Sequence, residues 1–305
     1  MDNRRKIVLA IILVAVVSAI TLYSLAARQE AAAEREERVA VINLNGPIRE
    51  VAAGIGGGGS ITPQSVRRQL TKAENDNSIK AVVLRVDSPG GAIAASQEIA
   101  AMIKDFPRPI VISMGDTAAS GGYYIAASAD AIVAQPGTMT GSIGVILTLT
   151  NLQELYEKMG IEVEIIKSGE HKDMMQRTLT EEERNLLQTL SDEAYEQFVH
   201  HIASERDMDI ETVTELATGQ VYLGTQAHEV ELVDKLGGED VAIATAGDLA
   251  GLQDPQRYEI PSPSPFQQLR WLFQDAQIII SHLLMPEELR WLNMFEEYLH
   301  PRMKY

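Results

Sequence analysis

The sequence predicts an α/β fold, because short apolar strands alternate with amphipathic helices over residues 63–169, after an opening β-rich run at 39–44. Apolar residues recur at helical spacing in two segments, whereas four shorter runs are almost continuously apolar, as in parallel strands buried on both faces of a sheet. The predicted helices cover residues 63–75 and 92–106, and the predicted strands cover 39–44, 81–86, 110–114 and 131–134. We therefore expect a mainly parallel sheet covered by helices.

The N-terminal segment has the pattern of a membrane anchor. Residues 1–6 carry three basic side chains, and residues 7–27 contain no charge, which is enough to cross a hydrocarbon layer of about 30 Å. Basic residues ahead of the span predict a cytoplasmic N-terminus and an extracytoplasmic domain. A cleaved signal peptide is the alternative, but the apolar stretch exceeds the usual length of about 7–15 residues, which favours a retained anchor. Residues 28–38 follow as a charged stalk.

The C-terminal half is predicted to be helical. Thr180 and Glu183 form a capping box, which begins a long helix that ends near Arg206. We expect the apolar stripe of this helix to pack in the core or at a subunit interface more than to form a substrate site. The stripe consists of Leu186, Leu187, Leu190, Ala194, Phe198 and Ile202. Shorter helices at 209–219, 225–234 and 239–251 complete a domain that covers residues 39–260. Residues 261–305 are a proline-rich linker and an amphipathic tail, which could lie at a membrane surface or on a neighbouring subunit.

Net charge, the absence of cysteine and the glycine-rich stretch each argue against a particular kind of function. The formal net charge of −17 disfavours nucleic acid as a partner. The chain has no cysteine, so a thiol nucleophile and a disulfide framework are both excluded. The glycine-rich stretch 54–60 lacks the lysine of a phosphate-binding loop and is interpreted as flexible. We expect no cofactor and no metal.

Ser120 is the candidate nucleophile. It follows a β-rich run and precedes two glycines, and a second glycine turn, Ser88 to Gly91, ends the preceding strand. Two such turns can bring a hydroxyl and free backbone N–H groups together, as acyl transfer requires. The alternative is that Ser120 only caps the following helix. The chain has no G-x-S-x-G motif, which argues against an α/β-hydrolase.

A general base is expected in the segment that follows a β-rich run at 162–167. Three side chains at the end of this run or after it are candidates, namely Lys167, His171 and Lys172. Histidine is the commoner general base, whereas a lysine needs burial to become a neutral amine. His171 and Lys172 are neighbours, so both should not face the serine if the chain is extended. From the residues alone the choice stays open.

Four motifs together resemble one family. S-P-G-G at 88–91, A-A-S-G-G-Y-Y at 118–124, T-G-S-I-G-V at 140–145 and I-K-S-G-x-H-K-D at 166–173 are similar to those of signal peptide peptidase A. That family comprises membrane-anchored serine–lysine peptidases related in fold to Clp protease and the crotonases. The resemblance extends from about residue 39 to 237 and implies repeated ββα units wound into a spiral.

The resemblance also implies roles for residues. Ser120 would be the nucleophile and Lys172 the general base, with the N–H groups of Gly91 and Gly121 as the oxyanion hole. Ser142 would orient the lysine, although a turn serine is an equal alternative. Substrates would be remnant signal peptides or other hydrophobic segments at the membrane. With one domain instead of two, the chain would form a homo-oligomer, predicted to be a ring, with the dyad within one chain or shared between chains.

Two departures from the family pattern are visible. Asp87 stands where asparagine is frequent, and residues 174–179 lack the usual G-S-P. Two other classes stay open: a crotonase-like acyl-CoA enzyme, and a non-catalytic membrane scaffold with the same fold.

Overall fold

The structure is a computed structural model that describes residues 37–51 and 59–260. The predicted anchor at 7–27, most of the stalk and of the glycine-rich loop, and the tail at 261–305 lie outside these residues. Within the described ranges, no helix has the length and apolar character needed to span a bilayer.

Eight strands form one mixed sheet. They are β1 (Arg38–Asn45), β2 (Ile79–Ser88), β3 (Ile110–Ala119), β4 (Ala131–Ala134), β5 (Met139–Gly141), β6 (Val221–Leu223), β7 (Lys235–Leu236) and β8 (Gln256–Glu259). The order is β6-β5-β3-β2-β1-β8, and β4 lies between β3 and β7. All pairs are parallel except β5 with β6. The predicted α/β class with mainly parallel strands is therefore confirmed, whereas the ββα spiral stays a prediction.

Eight helices accompany the sheet in the described part of the chain. They are α1 (Pro63–Asn75), α2 (Ile93–Lys104), α3 (Gly121–Ala127), α4 (Gln153–Lys158), α5 (Glu181–Glu205), α6 (Ile210–Leu216), α7 (Gly224–Glu229) and α8 (Glu239–Ala250). The predicted capping box begins α5, since the Glu183 N–H donates to Thr180 Oγ1 at 3.2 Å and the Thr180 N–H donates to Glu183 Oε2 at 3.0 Å.

Both faces of the sheet are buried, as the apolar runs predict. Alternate residues of β1 and β2, such as Val41 and Val83, pack with α8 on one face. Their neighbours, such as Ile42 and Leu84, belong to the larger core on the other face. This alternation follows from the two-residue period of a strand.

An irregularity in β3 determines which strands lie beside the serine. β2 and β3 pair in register up to Val86 and Met114, and the next pair is Ser88 with Ala118, so β3 holds extra residues. Asp87 supports this bulge, because its Oδ1 accepts the Thr117 N–H at 3.0 Å. Before the bulge β3 pairs with β4, and after it with β5. Bulges of this kind redirect a strand end.

One prediction is wrong, and a second is confirmed for only part of its residues. Residues 162–167 form no strand; they are exposed, and no neighbouring strand pairs with them. The apolar stripe of α5 is only partly core: Leu187, Phe198 and Ile202 are buried, whereas Leu186 and Leu190 are exposed. In the first half of α5 only Glu183 and Leu187 are buried, so most of that half lies outside the core.

We expect Tyr123→Phe to lower the free energy of unfolding by about 1–2 kcal/mol. The ring is fully buried, and its hydroxyl donates to the Leu232 carbonyl at 2.9 Å, so the substitution leaves that carbonyl unpaired. The control is Tyr258→Phe, because the Tyr258 hydroxyl has no hydrogen bond within the described ranges and its ring packs under Arg38. Urea denaturation measures both variants, and equal losses would contradict the assignment.

Candidate active site

Three loops converge where β2, β3 and β5 end. Carboxyl ends of parallel strands meet at one edge of a sheet, so the turn after β2, Ser120 after β3 and Ser142 after β5 become neighbours. Within the first turn, the Ser88 hydroxyl accepts the Gly90 N–H at 3.1 Å. The segment around Ile48 covers this turn, because its N–H donates to the Gly90 carbonyl at 2.9 Å. The edge is therefore built from fixed backbone.

Ser120 has a strained backbone. Its φ of 53° and ψ of −122° lie outside the regions that an L-residue usually adopts. The conformation is held from both sides: the Ser120 N–H donates to the Gly141 carbonyl at 2.8 Å, and the Ser120 carbonyl accepts the Tyr124 N–H at 2.9 Å. Strand, sharp turn and helix are the context of a nucleophile elbow, formed here without G-x-S-x-G. The hydroxyl makes no capping hydrogen bond, so the helix-cap interpretation is wrong.

Two backbone N–H groups lie beside this serine. A Cβ built on Gly121 would be 3.2 Å from the Gly91 nitrogen, which places the two glycines side by side. Gly90 permits the approach: its φ is +92°, and a Cβ there would lie 2.6 Å from the Gly121 nitrogen. Within the described ranges, neither the Gly91 nor the Gly121 N–H has a hydrogen-bond acceptor. The arrangement offers two free donors next to a hydroxyl.

A cavity of about 530 Å³ opens over these groups. Gly91, Ser120, Gly121 and Ser142 line it together, so the structure brings four of the five predicted site residues to one place. Its other walls are mainly apolar and include Ile93, Tyr124, Ile146, Ala194, Tyr195 and Phe198. The cavity is suited to an extended or apolar ligand.

The contribution of α5 to this cavity was missed from the sequence. Ala194 and Phe198 belong to the apolar stripe of α5, which is predicted to pack in the core or at a subunit interface, and both line the cavity. Phe198 is held by Tyr124, with ring centroids 5.1 Å apart. Burial raises the pKa of Tyr124. The periodicity revealed an apolar helix face but could not indicate that part of it borders the serine.

Ser142 lines the same cavity as Ser120, whereas Lys172 does not line it. Its φ is 48°, and its N–H donates to the Gln220 carbonyl at 2.7 Å. That bond ties the loop after β5 to the residues before β6. Its role in orienting a lysine stays a prediction.

Lys172 does not line the cavity and is exposed. The two rival bases are engaged elsewhere: Lys167 Nζ lies 2.7 Å from Asp173 Oδ1, and His171 Nδ1 lies 3.3 Å from Glu183 Oε1. An ion-paired lysine is a poor source of a neutral amine. Lys172 is the candidate whose side chain has no hydrogen bond or ion pair in the described part of the chain. Within the described residues, nothing provides the burial that a neutral lysine requires.

One histidine near the serine was not considered from the sequence. The His201 ring stacks on Tyr124 at 3.8 Å between centroids, and its Nε2 lies 3.0 Å from the Tyr124 carbonyl oxygen. Burial lowers its pKa, which favours the neutral ring. His201 does not line the cavity; it packs against Tyr124, which does.

Within the described residues, no cluster of three or more His, Asp or Glu side chains is arranged to hold a metal ion.

We expect Ser120→Gly to be more stable than Ser120→Ala by about 1 kcal/mol, because glycine tolerates the backbone conformation at residue 120 and alanine retains the strain. Both variants lose the hydroxyl, so their difference isolates the backbone. The measurement is the urea midpoint of each variant. An alanine variant as stable as the glycine variant would show that the conformation is not strained.

Comparison with known proteins gives the family. The model of peptidase family S49 matches residues 103–253, and that of Clp protease matches residues 59–142. A Synechocystis protein named "Putative protease slr0021" is 41% identical over 79% of this chain and 88% of its own length. The "Putative signal peptide peptidase SppA" of Enterococcus faecium is 45% identical over 59% of this chain, and the chloroplastic serine protease SPPA of Arabidopsis thaliana is 36% identical over 71%. The chain spans 54% and 33% of these two relatives.

Solved structures agree on the fold. A mutant of the 1510-N membrane-bound stomatin-specific protease superposes with a TM-score of 0.51 at 17% identity, covering 74% of this chain and 99% of that one. A second mutant of the same protease, in complex with a substrate peptide, gives 0.52 at 18% identity, covering 79% of this chain and 99% of that one. Because the Synechocystis relative matches along most of both chains and the S49 model matches independently, this chain belongs to peptidase family S49 and is a serine peptidase.

Proposed function

We propose that the protein is a membrane-bound endopeptidase that degrades remnant signal peptides and other hydrophobic segments with a Ser120–Lys172 dyad. The observation that carries this proposal is the geometry at Ser120. A hydroxyl on a strained turn faces one cavity together with two N–H groups that have no acceptor among the described residues, which is the arrangement that acyl transfer requires.

The proposed reaction has two stages. The neutral amine of Lys172 takes the Ser120 proton while Oγ bonds to the peptide carbonyl carbon, and the N–H groups of Gly91 and Gly121 stabilise the oxyanion. The resulting ammonium then protonates the leaving amine as the C–N bond breaks, which gives an ester of Ser120. Water attacks this ester with Lys172 again as base, so the acid is released and the serine is restored.

Lys172 has to come from a second chain or move, because within one chain it lies outside the cavity. The residues around it favour a second chain. All residues from 146 to 170, here called the exposed arm, are exposed, and they include large apolar side chains such as Ile146 and Ile166 at 90% and 93% exposure. Apolar surface of this extent is typical of an interaction site. A neighbouring copy that covered the arm would also remove water from Lys172, as a neutral amine requires.

The proposed location and substrates rest on three observations. Residues 7–27 have the composition of a membrane anchor. A relative of similar fold is described as membrane-bound, and another relative is named a signal peptide peptidase. The cavity walls are apolar, which suits the side chains of a hydrophobic segment. The domain would face the extracytoplasmic side, next to its substrates.

The alternatives are less well supported. A crotonase-like enzyme would use the same glycine N–H groups on a thioester, but it needs neither a strained serine nor a lysine. A scaffold without activity would have no reason to retain a backbone strain of about 1–3 kcal/mol at Ser120.

We expect Ser120→Ala and Lys172→Ala each to abolish peptide hydrolysis by at least about 1,000-fold, since the nucleophile and its base act as a unit. His171→Ala should keep most of the activity, because His171 contacts Glu183 and does not line the cavity. A fluorogenic peptide library and circular dichroism measure activity and folding. An inactive His171→Ala beside an active Lys172→Ala would reject the dyad.

We also expect mixtures of inactive Ser120→Ala and inactive Lys172→Ala chains to recover part of the activity. In a ring whose sites lie at subunit boundaries, some boundaries hold an intact serine from one chain and an intact lysine from the next. Differently tagged chains, co-purified to verify mixing, provide the assay. No recovery in verified mixed oligomers would place the dyad within one chain, and a fully active monomer would reject the oligomer.

A further inference from the structure

A compact ion cluster includes Asp173, the residue that follows Lys172 in the chain. Arg177 binds two carboxylates at once: its Nε is 3.0 Å from Asp173 Oδ2, and its Nη2 and Nη1 are 2.7 and 2.8 Å from Glu183 Oε1 and Oε2. Lys167 binds the same Asp173. The fork geometry with Glu183 is the stronger form of an arginine–carboxylate pair. The cluster joins the turn that carries Lys172 to the first turn of α5.

The carboxylates of this cluster are shielded from solvent. The Glu183 side chain is 2% exposed and that of Asp173 is 11% exposed. Hydrogen bonds from Arg177 hold the pKa of Asp173 down at about 2 and keep that of Glu183 well below its usual range. Glu183 in turn raises the pKa of Arg177. At neutral pH the two carboxylates are thus anionic, and the charges of Lys167 and Arg177 sum with theirs to zero.

We propose that Arg177 is a positioning residue for the peptidase reaction: it anchors the turn that presents Lys172 and cancels the carboxylate charge that would otherwise keep the lysine amine protonated. The inference rests on the proposed role of Lys172. Asp173 is the next residue along the chain and belongs to the same run of turns, so an uncompensated negative charge there would lie on the segment that carries the lysine. Arg177 itself neither lines the cavity nor contacts Ser120.

The charged and titratable groups close to Lys172 in the chain lie on two elements. The turn segment contributes Lys167, Glu170, His171, Asp173 and Arg177, and the first turn of α5 contributes Glu181, Glu182, Glu183 and Arg184. Glu181, Glu182 and Arg184 are exposed, so water screens them more than it screens the cluster. Arg177 and Glu183 carry opposite charges and contact each other directly, and Glu183 is the least exposed carboxylate of the cluster. Substituting each tests the charge balance in both directions.

The experiment measures the acid limb of the pH profile of kcat/KM in the full-length chain. Arg177→Met leaves the cluster with a net negative charge, so the limb should move to higher pH by about half to one unit. Glu183→Gln leaves it net positive, so the limb should move to lower pH by a similar amount. Combining both substitutions restores neutrality and should return the limb to its original position. Raising the salt concentration should shrink each single shift.

These variants are chosen to remain folded. A glutamine at residue 183 keeps the amide oxygen that the Thr180 N–H needs, so the capping box is preserved. Arg177→Lys separates the anchoring role from the charge role, because lysine keeps the positive charge but cannot form the bidentate hydrogen bonds of the guanidinium group. It should leave the limb in place while lowering kcat about tenfold through a looser turn. A loss of kcat with no movement of the limb in any variant would reduce Arg177 to a merely structural residue and overturn the charge inference.

The matched control is Arg206→Met. Arg206 also pairs with a carboxylate, with its Nη2 2.6 Å from Asp234 Oδ1, and its side chain is 9% exposed. It lies at the other end of α5, about 35 Å from Glu183 along the helix, which is beyond the screening length of about 10 Å. The variant should lower the melting temperature but leave the limb unmoved. An active Lys172→Ala would reject the dyad itself, whereas an inactive one with unshifted Arg177→Met and Glu183→Gln limbs would reject this inference alone.

Discussion

The close approach of two backbone loops beside Ser120 is the constraint on which the site depends. A side chain on Gly90 would collide with the Gly121 nitrogen, and one on Gly91 would lie 2.0 Å from the Ile48 carbonyl oxygen. The approach also requires that β2 and β3 end at the same level, which the bulge in β3 and its support by Asp87 arrange. The same bulge allows β5 to replace β4 beside β3, and β5 supplies the Gly141 carbonyl that holds Ser120. The register of β2 and β3, the close approach that the two glycines permit and the strained backbone of Ser120 therefore depend on one another.

The lysine part of the site is built by different means. Ser120 stands on a sheet edge whose strands are almost fully buried, so its position is determined by packing. Lys172 stands on a turn without regular secondary structure, between the exposed arm and α5. What orders this turn is charge: the contacts of Asp173, Arg177 and Glu183 replace the hydrophobic core that the segment lacks. A surface ion pair is worth little alone, but a network with a shielded carboxylate and a bidentate arginine is more effective.

The sequence predicted the serine part better than the lysine part, for physical reasons. Apolar strands, glycine turns and the capping box at Thr180 are local signals, and the structure follows each of them. The run at 162–167 has the composition of a strand, yet it forms none, because strand formation also needs a partner edge that no composition can reveal. The same limit explains the apolar face of α5, where Leu187 is core, Leu190 is exposed and Phe198 borders the cavity. Periodicity identifies a face but not what the face contacts.

The ion cluster could not be predicted from spacing, although every member is visible in the sequence. Arg177 and Asp173 are four residues apart, a separation that places side chains together on a helix, but here the chain forms a succession of turns. The sequence predicts only the capping-box role of Glu183. Glu183 performs that role and also accepts hydrogen bonds from Arg177. A chain with a net charge of −17 surrounds any lysine with a field that favours its protonated form. At physiological salt that field is screened over about 8 Å, so nearby charges outweigh distant ones. Under the proposed mechanism, the zero net charge of the cluster in which Arg177 binds both Asp173 and Glu183 offsets this field on the segment that carries Lys172.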